Sequence, residues 1–327
     1  MSPGHSMAGI SRVLVTGAHG FIGSHLTRAL IGEGYEVGIL RREASDLHRL
    51  RDLGGQVVHH VADLRDPASV QAAVEVACPE AVIHLATYYA VEHRPGEVGV
   101  MMDTNVKGTV ALLDASREVG VTFFLNTGTC AVYREKEIPL TETDPVSPQN
   151  LYALTKLQAE EACRFYADRF DVPGATLRLF PPYGPADNER RLIPYVIRSI
   201  LAGEEVRLTS GTQRWDFVYV DDIVSAFLAA LRQPEKAAAA EVLNVGTGDP
   251  LAVRDLVTRL AGLTGEKASL LWGAIPHRSN EVWFNSGSWG TIRSVLGWEP
   301  RVSLDEGLER TIAWFRDHPR NPEGSRA

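Results

Sequence analysis

The sequence predicts an α/β fold, a doubly wound parallel sheet with a smaller C-terminal lobe, and three features of the chain lead to it. Short β-branched runs alternate with amphipathic helical patterns from Ile10 onward. The runs are almost continuously apolar, as strands buried on both faces must be. After Phe180 the alternation breaks into a stretch rich in proline and glycine.

In order, Arg12–Thr16, Glu36–Leu40, Gln56–His60, Ala81–His84, Thr122–Asn126 and Ala175–Leu179 read as strands. Parallel neighbours need crossover helices, and right-handed crossovers put those helices on both faces of the sheet. Pro181, Pro182, Gly184, Pro185 and Pro194 then punctuate a loop-rich region. It holds scattered strands (Val206–Leu208, Phe217–Val220, Val242–Val245) and helices (Ile223–Arg232, Val253–Leu263, Leu304–Asp317). The predicted division is residues 10–180 for the sheet domain and 181–318 for a mainly substrate-binding lobe, some of whose segments return to the sheet domain. Met1 to Gly9 reads as a disordered lead, and the tail after His318 as solvated and mobile.

Composition narrows the partners. The chain has 327 residues, with 41 acidic against 33 basic and a net charge of −8, which argues against nucleic acid or an anionic membrane as the main partner. No stretch approaches the roughly 18 uninterrupted apolar residues of a membrane span, and the start lacks a charged-then-apolar signal layout. Cys78, Cys130 and Cys163 lie far apart without a Cys-x-x-Cys pair, which fits a reducing, cytoplasmic setting. No metal site is expected: the histidines form no His-x-x-x-His pair, and His59 and His60 point to opposite faces of a strand.

The first strand runs into Gly17-Ala18-His19-Gly20-Phe21-Ile22-Gly23 and then a helical pattern through Leu30. Glycines there allow a tight turn and close approach of backbone to a pyrophosphate, and the helix start offers free N–H groups. The loop from Gly17 through Gly20, Phe21 and Ile22 to Gly23 is therefore the candidate dinucleotide site. About 20 residues further on, where the second strand meets the adenosine ribose, stand Arg41 and Arg42. Guanidinium groups favour a 2′-phosphate, so NADP is the expected cofactor, with NAD the alternative. Asp63 either meets the adenine edge or caps the helix beginning near Pro67.

Tyr152 and Lys156 lie at i and i+4 of a predicted helix, on one face and a turn apart. An ammonium beside a phenol favours the phenolate and draws it toward a useful acid/base range.

With these motifs the chain resembles the extended short-chain dehydrogenase/reductase family, in its nucleotide-sugar epimerase, dehydratase and ketoreductase branch. The likeness runs from about Ile10 to Trp314. It rests on Gly17 to Gly23, Asp63-Leu64, His84-Leu85-Ala86-Thr87, Asn105, Tyr152 with Lys156, Arg178 to Pro185, and Arg214 to Asp222. The resemblance implies a Rossmann fold whose cofactor is also held by Asp63, Leu64, Leu85, Ala86, Thr87, Asn105 and Thr127. It gives Thr129 the role of fixing the substrate oxygen, Tyr152 that of proton donor or acceptor, and Lys156 that of tuning Tyr152 and holding the nicotinamide ribose. Arg190, Arg191, Arg214 and Arg278 fall where related enzymes grip a nucleotide diphosphate, with Arg214 and Arg278 expected to converge on it. Asp221 reads as a helix cap. Tyr88-Tyr89 stands in place of smaller residues and is expected to shape the sugar pocket, chiefly through Tyr88.

Two departures matter. Cys130-Ala131 replaces the Asp-Glu that 4,6-dehydratases carry after the threonine, which removes the acid and base for eliminating water. Pro181 occupies the place of an Asn that commonly meets substrate. The expected activity is reduction of a 4-keto-deoxyhexose nucleotide by NADPH, the alternative an NAD-dependent 4-epimerase. A non-catalytic dinucleotide-binding scaffold is the reading from another class, and the intact Thr129, Tyr152, Lys156 set argues against it. The resemblance also implies a homodimer built on the helices around Val106–Arg117 and Tyr152–Tyr166.

Overall fold

Alternation along single strands sets up the layers. In β1 (Arg12–Thr16) Val13 and Val15 join one buried cluster and Leu14 the other, on opposite faces of the sheet, as period-two side chains must when both faces are covered. The computed structural model describes residues 9–90 and 92–319, so the predicted lead and tail lie, but for Gly9 and Pro319, outside the described residues.

After β1 come α1 (Phe21–Gly32), β2 (Glu36–Arg41), β3 (Val57–Val61), α2 (Pro67–Ala77), β4 (Ala81–His84), α3 (Glu97–Met102), α4 (Gly108–Glu118), β5 (Phe123–Thr129), α5 (Leu151–Phe170) and β6 (Gly174–Leu179). Then follow β7 (Pro182–Tyr183), α6 (Leu192–Leu201), β8 (Glu205–Arg207), β9 (Arg214–Trp215), β10 (Val218–Tyr219), α7 (Val220–Arg232), α8 (Pro234–Ala240) and β11 (Val242–Val245). The order ends with β12 (Leu251–Ala252), α9 (Val253–Thr264), β13 (Ser269–Leu271), β14 (Phe284–Asn285), α10 (Gly290–Leu296) and α11 (Leu304–Asp317). Seven strands form one parallel sheet in the order β11-β6-β5-β4-β1-β2-β3. Strand order reverses between β1 and β4, the switch point beside which open parallel sheets bind ligands at the C-terminal ends of their strands.

Several segments beyond Phe180 belong to this sheet layer: β11 pairs with β6, α8 packs on β6, α10 on β11, and α7 against α1. The other late elements make a group in which α6, α9 and α11 pack together. Ile197, Leu256 and Ile312 of that group share one buried cluster with Val15 and Ile39, so the lobe is cemented onto one face of the sheet.

Strand ends differ modestly from expectation. β5 runs three residues further, to Thr129, because pairing with β6 continues through Thr129 opposite Leu179. Gly128 permits it: a Cβ there would stand 2.7 Å from the Thr176 side chain. Helix starts are capped by local side chains, Asp66 accepting from Ala68 N–H in α2, Asn150 from Ala153 N–H in α5 and Ser303 from Glu306 N–H in α11.

Candidate active site

The glycine-rich turn is built for close approach. Gly17 has φ +70°, and a Cβ on it would lie 2.6 Å from the Ala86 nitrogen; a Cβ on Gly23 would strike the Gly17 carbonyl. Gly20 is the N-cap of α1 and no side chain caps that helix, which leaves its first N–H groups for an external acceptor. On β5 the Thr127 hydroxyl is buried with no hydrogen-bond partner among the described residues. A tight backbone cradle, an uncapped helix start and an orphaned hydroxyl at the same strand ends fit a dinucleotide.

Buried hydrogen bonds fix the adjoining loop. Ala86 N–H donates to Thr16 Oγ1 (3.1 Å), which meets His84 Nδ1 (2.7 Å), while His84 Nε2 meets Thr109 Oγ1 (3.0 Å). Thr109 gives its own proton to the Asn105 carbonyl (2.7 Å), so it accepts from His84 Nε2–H, and Nδ1 accepts from Thr16. The ring is neutral, its pKa driven to about 3 by burial and by the charge of Lys156.

Asn105 sits in a π-helical turn, Asp103–Lys107, and is 1% exposed. Its amide donates to the Tyr88 carbonyl and Thr155 Oγ1 (both 3.0 Å), and its Oδ1 accepts from Thr87 Oγ1 (3.1 Å) and Tyr88 N–H (2.7 Å). The side chain's polar capacity is spent tying the β4 loop to α5, so in this structure Asn105 braces the loop expected to line the cofactor.

At the second strand the two arginines part company. Arg41 Nε donates to His59 Nδ1 (3.1 Å) and its Nη1 to the Arg42 and Glu43 carbonyls. Arg42 is exposed, its side chain without a hydrogen-bond partner among the described residues, and its field reaches Asp63 and His19. Asp63 binds Arg65 (2.6 Å), which holds the carboxyl down at about 2. It does not cap α2, since Asp66 does. Leu64 is buried against Gly108, while Leu85 and Ala86 are half-buried and Thr87 exposed on the strip above.

Tyr152 and Lys156 share the first turns of α5. Lys156 is 3% exposed, and burial lowers its pKa to about 8 against the opposing carboxylate of Glu160 and the thiol of Cys163. Burial also pushes the Tyr152 phenol well above its ordinary value; Tyr89 and Cys130 add to this, and only Arg191 and Thr87 pull down. Burial thus outweighs nearby positive charge here, against the sequence expectation that an ammonium draws the phenol toward neutrality. Thr129 accepts from Ala131 N–H (3.3 Å) through Oγ1, and its O–H proton remains rotatable.

Behind this pair runs a second buried network. Glu160, one turn beyond Lys156, binds Arg178 of β6 through two hydrogen bonds (2.5 and 2.9 Å), with the side chains 2% and 4% exposed. Arg178 stacks on Tyr133 (4.6 Å to the ring centroid), whose hydroxyl donates to Asn244 Oδ1 (2.7 Å). Charged groups this deep persist only because each has a partner.

The aromatic pair is divided otherwise than expected. Tyr88 turns to Glu97, its hydroxyl donating to Oε1 (3.1 Å). Tyr89 is the one that packs edge-on against Tyr152, centroids 4.9 Å apart. Of the predicted substrate residues, Arg191 pairs with buried Asp187 (3.3 Å) and acts on Tyr152, and Pro181 accepts from Val218 N–H where β7 begins. Arg214 donates to the Pro250 carbonyl (3.1 Å) and Arg278 faces Glu92 (3.8 Å), with no partner in common. Asp221 pairs with Arg310 (3.3 Å) and caps nothing. Asp216, given no role by sequence, is fully buried and gathers Thr247, Gly248 and Gly287 N–H groups at 2.9–3.0 Å, so it knots three loops of the lobe.

Comparison with known proteins places this geometry. The CDP-abequose synthase of Salmonella typhimurium is 29% identical over 305 residues, covering 92% of this chain and 97% of that protein. The Thermotoga maritima UDP-glucose 4-epimerase, solved with UDP-glucose, superposes with a TM-score of 0.85 at 30% identity over 94% of this chain and 99% of that one. The Thermus thermophilus UDP-glucose 4-epimerase, solved with NAD, gives 0.85 at 27% identity over 94% and 100%. The family described as NAD dependent epimerase/dehydratase matches residues 13–246, and the chain belongs to it, as a short-chain-dehydrogenase-type enzyme of the nucleotide-sugar branch.

Proposed function

We propose that the protein is a 4-ketoreductase that uses NADPH on a 4-keto-deoxyhexose linked to a nucleoside diphosphate. The observation that carries this reading is Arg42: an exposed guanidinium at the end of β2, with no hydrogen bond of its own among the described residues, is a receptor for a 2′-phosphate. Gly17 to Gly23 would hold the pyrophosphate, Thr127 and Lys156 the nicotinamide riboside, and Leu64, Leu85, Ala86 and Thr87 the surrounding strip. Bound there, the cofactor supplies the hydride. Thr129 orients the sugar oxygen, Tyr152 gives it a proton, and Lys156 keeps a positive charge under that exchange. Arg191, Arg214 and Arg278 serve the diphosphate, from separate walls of the crevice.

An NAD-dependent 4-epimerase is the second reading, and likeness to proteins with that name favours it. We also propose a homodimer through α4 and α5, where Leu154 (40% exposed) and Phe165 (53% exposed) stand on one outward stripe of α5, in a cytoplasmic setting.

The test is assay of the purified protein with a nucleotide 4-keto-6-deoxyhexose. The expected result is protein free of bound nucleotide, NADPH preferred over NADH by at least about tenfold, and loss of that preference in Arg42→Asp. In Tyr152→Phe, turnover falls by about 10²–10⁴ with cofactor affinity within roughly threefold. Stoichiometric bound NAD and reversible inversion at C4 would establish the epimerase instead.

A further inference from the structure

We propose that Tyr89 is a specificity-determining residue that confines the sugar above Tyr152, so that only one face of its C4 carbon can be reduced and a single C4 epimer forms. This rests on the ketoreductase reading and extends it to stereochemistry.

In the reaction the C4 carbonyl accepts a hydride from NADPH while its oxygen takes the phenol proton of Tyr152. The C=O π bond gives way to new C–H and O–H bonds, the ketone is reduced to an alcohol, and NADPH is oxidised to NADP⁺. With hydride source and proton donor both fixed, the only route to the other epimer is for the sugar to turn over within the site. Turning over requires clear space about one pyranose wide beside the phenol.

Tyr89 fills that space. Its ring meets the Tyr152 ring at 4.9 Å between centroids and 79° between planes, a contact with no gap between the two. It is 58% exposed, so one part of the ring packs on the catalytic phenol and the rest is open to solvent. The loop that carries it is not a free flap. Thr87 Oγ1 and Tyr88 N–H both donate to Asn105 Oδ1, and the Tyr88 hydroxyl donates to Glu97. With Thr87 and Tyr88 anchored by a buried amide, the loop presents the Tyr89 ring to Tyr152. An aromatic ring packed on the phenol and carried by an anchored loop bars the sugar from turning over.

The experiment compares wild type, Tyr89→Phe and Tyr89→Ala, with C4-deuterated NADPH and NMR of the product. Because Tyr89 is exposed, its truncation spares the core. Wild type and Tyr89→Phe should give one C4 epimer, and Tyr89→Ala both epimers within about threefold of each other. Independently of turnover, calorimetry on cofactor-free protein with the two C4-epimeric alcohols should show at least about tenfold discrimination in wild type and less than about threefold in Tyr89→Ala. A single epimer and undiminished discrimination in Tyr89→Ala would overturn the inference while leaving the ketoreductase reading intact. Failure of wild type to reduce any 4-keto sugar nucleotide would sink that reading, and the binding arm would still decide whether Tyr89 sets C4 preference.

Discussion

The two sides of the crevice are held in different ways. On the cofactor side, position is set by backbone and by small buried groups: Gly17 against Ala86, and the chain from Thr16 through His84 and Thr109 to Asn105. On the proposed substrate side stand long, exposed arginines with slack contacts, Arg278 at 3.8 Å from Glu92 and Arg214 on a backbone carbonyl. The first arrangement has its ordering entropy already met by folding; the second leaves it for the ligand to meet.

The sharpest way to break this contrast is Gly17→Ala. A methyl group at φ +70°, 2.6 Å from the Ala86 nitrogen, must push β1 and the β4 loop apart. The expected cost is about 2–3 kcal/mol, equal to roughly 100-fold in cofactor affinity by calorimetry. Unchanged affinity would mean that the cradle is softer than its contacts imply.

Lys156→Met probes a charge buried on the proposed cofactor side. Its folded pKa, about 8, lies below the 10.5 of an ordinary lysine, so the folded state resists the proton. The penalty is full below pH 8 and fades as pH rises toward 10.5. Replacement by methionine should therefore raise stability by about 2–3 kcal/mol at pH 7, with a smaller gain at pH 9.5, while turnover collapses. Urea unfolding at the two pH values checks the sign. A gain that does not shrink with pH would point to packing as its source.

The smallest effect belongs to the substrate side. Arg278→Ala should move stability by no more than about 0.5 kcal/mol, since an exposed pair at this separation contributes little. Its signature is instead a KM for the nucleotide sugar raised about tenfold with kcat nearly unchanged. Steady-state kinetics separates the two, and a fallen kcat would show that the arginine positions the reacting carbon as well.

Much of the sheet was readable because buried parallel strands advertise themselves as apolar runs, and the glycine turn because its spacing is a backbone requirement. Side-chain partnerships across the fold were not. His84 meets Thr16 and Thr109 through contacts 68 and 25 residues apart, and no local pattern encodes them. Asn105 looks like a ligand in sequence and is a brace in space, because a π-helical turn directs it inward. Tyr88 and Tyr89 were interchangeable on an irregular loop with no period to say which faces the site. Of the two roles open to Asp63 the cap falls to Asp66, and Asp221 meets an arginine 89 residues away instead of capping α7, partners that no local pattern announces.

Burial makes ionisation of the Tyr152 phenol costly. A reduced nicotinamide carries no ring charge, so its arrival would not relieve that cost, whereas an oxidised one brings a cation that would. Between turnovers, then, such a site idles with its proton in hand, like a spring set for delivery, and removing hydrogen from an alcohol would first require it to be unloaded.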